Sequence, residues 1–488
     1  DVGPSWMRHI ALTWNAGISE RHMPIDVRTP TRDNETKSIG GVPAYLSIAQ
    51  SLEAQILDGT FPTGATLPAQ RDLALSLGVN VSTVCRAYRE LQARGMVTGK
   101  KRLGTVVTQL PTPRTSSPSP ATSDVDLTYN CPPTSDFFLK YGSTLKKVSE
   151  DPRFAEVQRY SSIAGPVWAR EAGARWLVHS GLNLTADQVI VTSGAQHGLF
   201  TALSTFIKPG DVVLSDRLTY FGLRALAATL QFRIVCIDSD DEGVVPAAID
   251  ACCRKQEVAA VFVVPTFHNP TVKTMSDTRR AEIARLAMAH DFMVLEDDVY
   301  AMLPHERRRP IATLCPEKTF YITATSKILA PSLCLGYLVA PREFTSTASE
   351  AAGFSGSMSS PISALVMTQW IENGAALDIL AANRHEIEAR QQILSEILDG
   401  TDYRSASTSM FTWLRLPDGW LATDFARSAH HRGIRILPSA SFAVDEKGIE
   451  QGIRVNLAST STRDTLAKSL RILRKLHDDR PRTPSGSV

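Results

Sequence analysis

One lysine poses the chemical question the rest of the chain answers. In TFYITATSKILAPSLCLGYLVA, residues 319–340, Lys327 follows an apolar strand-like run, Phe320-Tyr321-Ile322, and small polar residues, Thr323 to Ser326. Pro331 and Gly336 then break any helix, and Tyr337-Leu338-Val339 reads as a second strand. An amine held between two buried strands is partly desolvated, which lowers its pKa. A lysine that is neutral part of the time can attack an aldehyde and form a Schiff base. A loop lysine taken alone is more often a solvated surface residue, so other groups must carry the case.

Several fall at predicted strand ends, where open α/β sheets bind ligands. Ser193-Gly194-Ala195-Gln196 puts bare amides at a helix N-terminus, a ready anion site, and Gly194 lets the backbone approach a phosphate. Tyr220, in LTYFG, can stack on a flat ring. Asn269, in HNPT, offers an amide donor from a turn, and Asp297 and Tyr300, in EDDVY, offer a carboxylate and a phenol. A pyridine aldehyde phosphate needs these groups. A carboxylate keeps the ring nitrogen protonated, phenol and amide hold the ring hydroxyl, an amine engages the aldehyde, and helix amides hold the phosphate. GAQ, NPT or EDD alone means little; the ordered set is strong.

The chain that must position them has 488 residues, too many for one core. It is 43% hydrophobic and 21% charged with a net charge of +2, so any nucleic-acid contact must come from a local basic surface. No run of about 18 apolar residues suggests a membrane span, and the first residues make a poor signal peptide. Seven cysteines without a C-x-x-C spacing argue against a disulfide framework or a zinc site and suit a reducing cytoplasm.

Residues 1–42 are polar and irregular. From Pro43, apolar residues from Tyr45 to Leu57 recur at helical spacing, and Gly59 ends the run. A short helix follows over Ala69 to Gly78, then one capped by Asn80 or Ser82 with Val84, Tyr88 and Leu91 on its apolar face. MVTGKKRLGTVV reads as a hairpin around Lys100-Lys101-Arg102. These pieces make a winged helix-turn-helix over 43–109, mainly α with a β wing, and a Pro/Ser/Thr linker over 110–127 follows. Residues 128–480 alternate strands and helices as an α/β domain with a largely parallel sheet. It divides into a large part at about 165–345 and a smaller C-terminal α/β part at about 346–480; residues 481–488 form a tail.

LPAQRDLALSLGV-x-x-STV-x-RAY-x-x-L-x-x-RG resembles the GntR-type DNA-binding domain. The resemblance implies that Arg71, Ser82, Thr83, Arg86, Lys101 and Arg102 touch DNA; Val81 stands where that family usually has a base-reading arginine. The body resembles the fold-type-I, pyridoxal-phosphate-dependent aminotransferases. That implies pyridoxal 5'-phosphate with Lys327 as Schiff-base lysine, Asp297 at the pyridine nitrogen, and Tyr300 and Asn269 at the ring hydroxyl. Tyr220 would stack on the ring, Gly194, Ala195 and Gln196 would hold phosphate with Ser326 beside them, and Arg454, in IRVN, would grip a carboxylate. Cys334 replaces the family's arginine seven residues after the lysine, Ala324 its usual serine, and Val272 the glycine after NPT.

Head, linker and body together resemble the MocR (GabR-like) regulators. That implies a cytoplasmic, head-to-tail domain-swapped homodimer on operator DNA, with an amino compound or the cofactor as effector. Two further readings stay open: a working aminotransferase carrying a DNA head, and a DNA-binding dimer whose body has lost the cofactor.

Overall fold

The computed structural model describes residues 44–57, 61, 65–93, 96–100, 104–107, 124–133, 137–445 and 448–479. The chain divides into two compact units, residues 1–120 and 121–488.

In the first unit, helices Ala44–Leu57, Gln70–Leu77 and Val81–Ala93 precede strands Val97–Lys100 and Gly104–Val107. Ile48, Leu52, Leu73, Val84, Tyr88 and Leu91 share one core, as their helical spacing requires. Gly78 takes φ 65° and returns its N–H to Ala74 O and Leu75 O, which stops the second helix. Of the two predicted caps, Asn80 is the one used. Its Oδ1 accepts from Ser82 N at 3.0 Å, and the third helix begins at Val81. The two strands pair antiparallel, Val97 opposite Val107 and Lys100 opposite Gly104. Lys101 and Arg102 lie outside the described residues.

The second unit is built on a seven-stranded sheet. Its order is Val189–Thr192, Gly336–Val339, Thr319–Ala324, Met293–Asp297, Ala260–Val263, Val212–Asp216, Arg233–Ile237. Only Gly336–Val339 runs antiparallel to its neighbours. Helices cover both faces, so the inner strands are buried throughout and read as unbroken apolar runs. The long strand predicted over Val258 to Val264 is in fact Ala260–Val263. The edge strand Arg233–Ile237 carries the apolar run Ile234-Val235-Cys236-Ile237 and is only partly buried, as its edge position requires.

A four-stranded sheet, Tyr403–Arg404, Phe411–Arg415, Gly452–Asn456 and Leu437–Pro438 in order, packs with helices Ala375–Ile397 and Arg463–Asp478. Thr462 caps the last helix by accepting from Thr465 N. Val125–Asp126 pairs in parallel with Ile434–Arg435 at its side.

Candidate functional site

Lys327 ends a 3-10 turn, Thr325–Lys327, that continues directly from the inner strand Thr319–Ala324. Thr325 fixes the turn by donating its N–H to Leu335 O at 2.9 Å. Asn383 Nδ2 donates to Ile328 O at 3.0 Å, which ties down the loop beyond. Lys327 Nζ donates to Asn130 O at 2.8 Å. Burial, and then the nearby Arg454 guanidinium, hold its pKa below the usual lysine value.

The neighbouring strand ends in Glu296-Asp297-Asp298, and alternation sends these carboxylates to opposite faces. Glu296 accepts from Ile311 N and Ala312 N at 2.9 Å each, and Arg280 Nη1 stands 3.7 Å from both Glu296 Oε1 and Asp298 Oδ2. Asp297 has no such support. It is buried, and its Oδ1 has no hydrogen-bond partner. Burial and the Asp298 charge push its pKa up to about 7, opposed by Lys327. Buried polar atoms are usually paired, so this oxygen can accept a further hydrogen bond.

Arg454, on strand Gly452–Asn456, is buried. It donates to Asn269 Oδ1 at 2.7 Å and to Thr128 O, and lies 5.0 Å from the Phe442 ring centroid. Among the described residues it makes no salt bridge, and burial lowers its pKa to about 10. A buried guanidinium paired only with neutral oxygens is a poised anion site. Tyr300 is buried, with its OH accepting from Asn130 Nδ2 at 3.0 Å; burial raises its pKa to about 12. Tyr220, at the N-cap of helix Phe221–Leu230, has its pKa raised by burial and then by Asp297.

At the helix N-terminus expected from the sequence to hold a phosphate, Gly194 caps helix Ala195–Phe206 with φ 84°, and a Cβ there would meet nothing within 4 Å. Gly336 shapes this turn from behind. A Cβ on it would come within 2.8 Å of the Gly194 carbonyl carbon and 2.7 Å of Thr192 Oγ1. Ser193 N donates to His197 Nδ1 at 3.0 Å, Ser326 is half-buried, and Gln196 is exposed. Cys334 comes to this same side, its thiol 3.8 Å from Ser193 O.

The structure thus gathers Lys327, Asp297, Tyr300, Asn269, Tyr220 and Arg454 into one linked electrostatic and hydrogen-bonded set. Sequence reasoning missed Thr128, Asn130 and Asn456. Two of these contribute backbone carbonyls, which any residue type carries. The pairing of Asn456 Nδ2 with Asn130 Oδ1, at 3.3 Å, has no local signature.

In the first unit, Arg71, Ser82 and Arg86 are exposed, and Thr83 is half-buried near the start of its helix. Arg86 lies 4.0 Å over the Tyr45 ring, so its guanidinium is already engaged within the unit. Val81 is also exposed.

Residues 126–472 match the family model for aminotransferase class I and II, and residues 44–107 that for bacterial regulatory proteins, gntR family. The HTH-type transcriptional regulator YdeF of Bacillus subtilis is 27% identical over 450 residues, 90% of this chain and 95% of that protein. The HTH-type pyridoxine biosynthesis transcriptional regulator PdxR of Corynebacterium glutamicum is 24% identical over 365 residues, 72% of this chain and 78% of that one. Among solved structures, a kynurenine aminotransferase from Pyrococcus horikoshii superposes with a TM-score of 0.68 at 23% identity. It covers 73% of this chain and 91% of its own, and shows the shared fold.

Proposed function

The chain belongs to the class I and II aminotransferase family, and from that premise we propose that it is a transcriptional regulator whose body binds pyridoxal 5'-phosphate as sensor and whose gntR-type head binds operator DNA. Similarity to HTH-type regulators over 90% and 72% of this chain supports the regulatory half of this reading. The observation that carries the cofactor half is the buried, unpartnered Asp297 Oδ1, in the same charge network as a desolvated Lys327.

The residues fit the group. Asp297 would take the ring nitrogen, and Tyr300 and Asn269 the ring hydroxyl. Tyr220 would cover the ring face, while the Gly194–Gln196 amides and Ser326 would hold the phosphate. Bound there, pyridoxal phosphate supplies an aldehyde and a ring able to withdraw electrons. The protein's own part is to keep Lys327 neutral often enough to react, to keep Asp297 charged against that ring, and to exclude water around both. Arg454 would orient an effector carboxylate. The fused head makes regulation the use of this chemistry, with the two subunits of a dimer presenting two heads to DNA.

The test compares absorption spectra of the purified protein and Lys327→Ala on adding pyridoxal 5'-phosphate, with footprinting upstream of the protein's own gene. A lysine-dependent band and a footprint are expected. Identical spectra for the two proteins, or an unprotected upstream region, would overturn the reading.

A further inference from the structure

The stretch that opens the body is held from two sides. On one side, Val125–Asp126 pairs with Ile434–Arg435, Ser459 Oγ donates to Asp126 O at 2.8 Å, and Asn456 N donates to Leu127 O at 3.0 Å. On the other, the candidate pocket grips it. Lys327 Nζ donates to Asn130 O at 2.8 Å, Arg454 donates to Thr128 O, and Asn130 Nδ2 donates to Tyr300 OH at 3.0 Å. Both cations of the pocket therefore donate to backbone carbonyls within three residues. No backbone N–H among the described residues donates to either carbonyl.

We infer that Thr128–Asn130 is a latch read by the pocket's ligands, with Asn130 as its positioning residue. A ligand aldehyde that takes the Lys327 amine, or a ligand carboxylate that takes Arg454, frees a carbonyl of the stretch that continues N-terminally into the linker. The inference rests on the pyridoxal phosphate reading of the pocket. When Nζ adds to an aldehyde, its two hydrogens and the aldehyde oxygen leave as water, so the donation to Asn130 O ends. A carboxylate competes with Thr128 O because it brings a full opposite charge and can take two N–H groups of the guanidinium at once. A ligand shifts an equilibrium only through different contacts in its two states. Here the free state has the latch contacts and the bound state loses them. Asn130 couples the two sides, since its Oδ1 accepts from Asn456 Nδ2 while its own amide holds Tyr300.

The test is hydrogen–deuterium exchange on the full chain with and without pyridoxal 5'-phosphate, read beside the absorption spectrum. The cofactor should speed exchange of the 124–133 segment about fivefold, the factor corresponding to one net hydrogen bond. Helix Asp277–His290 should not change. Lys327→Ala should speed the same segment without cofactor. Ser459→Ala, which cuts the anchor at Asp126 outside the pocket, should speed it while keeping the lysine-dependent band. A band that appears while segment 124–133 exchanges unchanged or more slowly overturns the latch and spares the cofactor reading. Absence of the band removes both.

Discussion

Asp297→Asn should stabilise the cofactor-free protein at pH 8 and weaken the stabilisation that pyridoxal phosphate brings. The Asp297 carboxyl has an ordinary value of 3.8 and is raised to about 7 in the folded protein, mainly by burial. The unfolded chain therefore holds its charge more readily than the folded one. Stability is unaffected by this group below about pH 4, falls as pH rises toward 7, and stays reduced above. A rise of that size corresponds to about 4 kcal/mol at pH 8 as a ceiling. Relaxation around a buried charge brings the expected gain for the neutral isostere to about 2 kcal/mol. The assay is denaturant unfolding at pH 5 and pH 8, followed by the fluorescence of the body's buried Trp176, Trp370 and Trp413. The variant's advantage should be full at pH 8 and fall to roughly two fifths of that at pH 5. Adding the cofactor should then raise wild-type stability more than the variant's, because only a carboxylate gains an ionic partner. An advantage that is absent, or equal at both pH values, would refute the claim that Asp297 is a buried charge awaiting a ligand.

Two further changes probe the phosphate side and the head. Cys334→Arg restores a charge-assisted donor beside the Gly194 turn, at a backbone already in the left-handed region with φ 45°. Equilibrium titration should show pyridoxal phosphate binding about tenfold to a hundredfold tighter, from one charged hydrogen bond. Tyr88→Phe removes the 2.8 Å bond from Tyr88 OH to Pro68 O in the head's core. Exchange from helix Val81–Ala93 should report a loss of about 1 kcal/mol, with the body's spectrum unchanged.

Local rules carried much of this protein. Helical spacing from Tyr45 to Leu91, the left-handed stop at Gly78 and the Asn80 cap depend only on residues a few positions apart. The apolar runs of the central strands likewise announce a sheet buried on both faces. The polar residues at strand ends could be picked out because that is where such sheets leave groups free. Only the tertiary structure shows that Arg280 lies within ion-pair distance of Glu296 and Asp298 and not of Asp297, the carboxylate the resemblance had singled out. It alone brought Arg454 to Asn269 and Thr128, and Asn130 to Tyr300, across 185, 326 and 170 positions of chain. Side-chain periodicity records which face of an element is buried. It holds no record of which distant carbonyl or amide that face will meet, because backbone groups are the same at every residue.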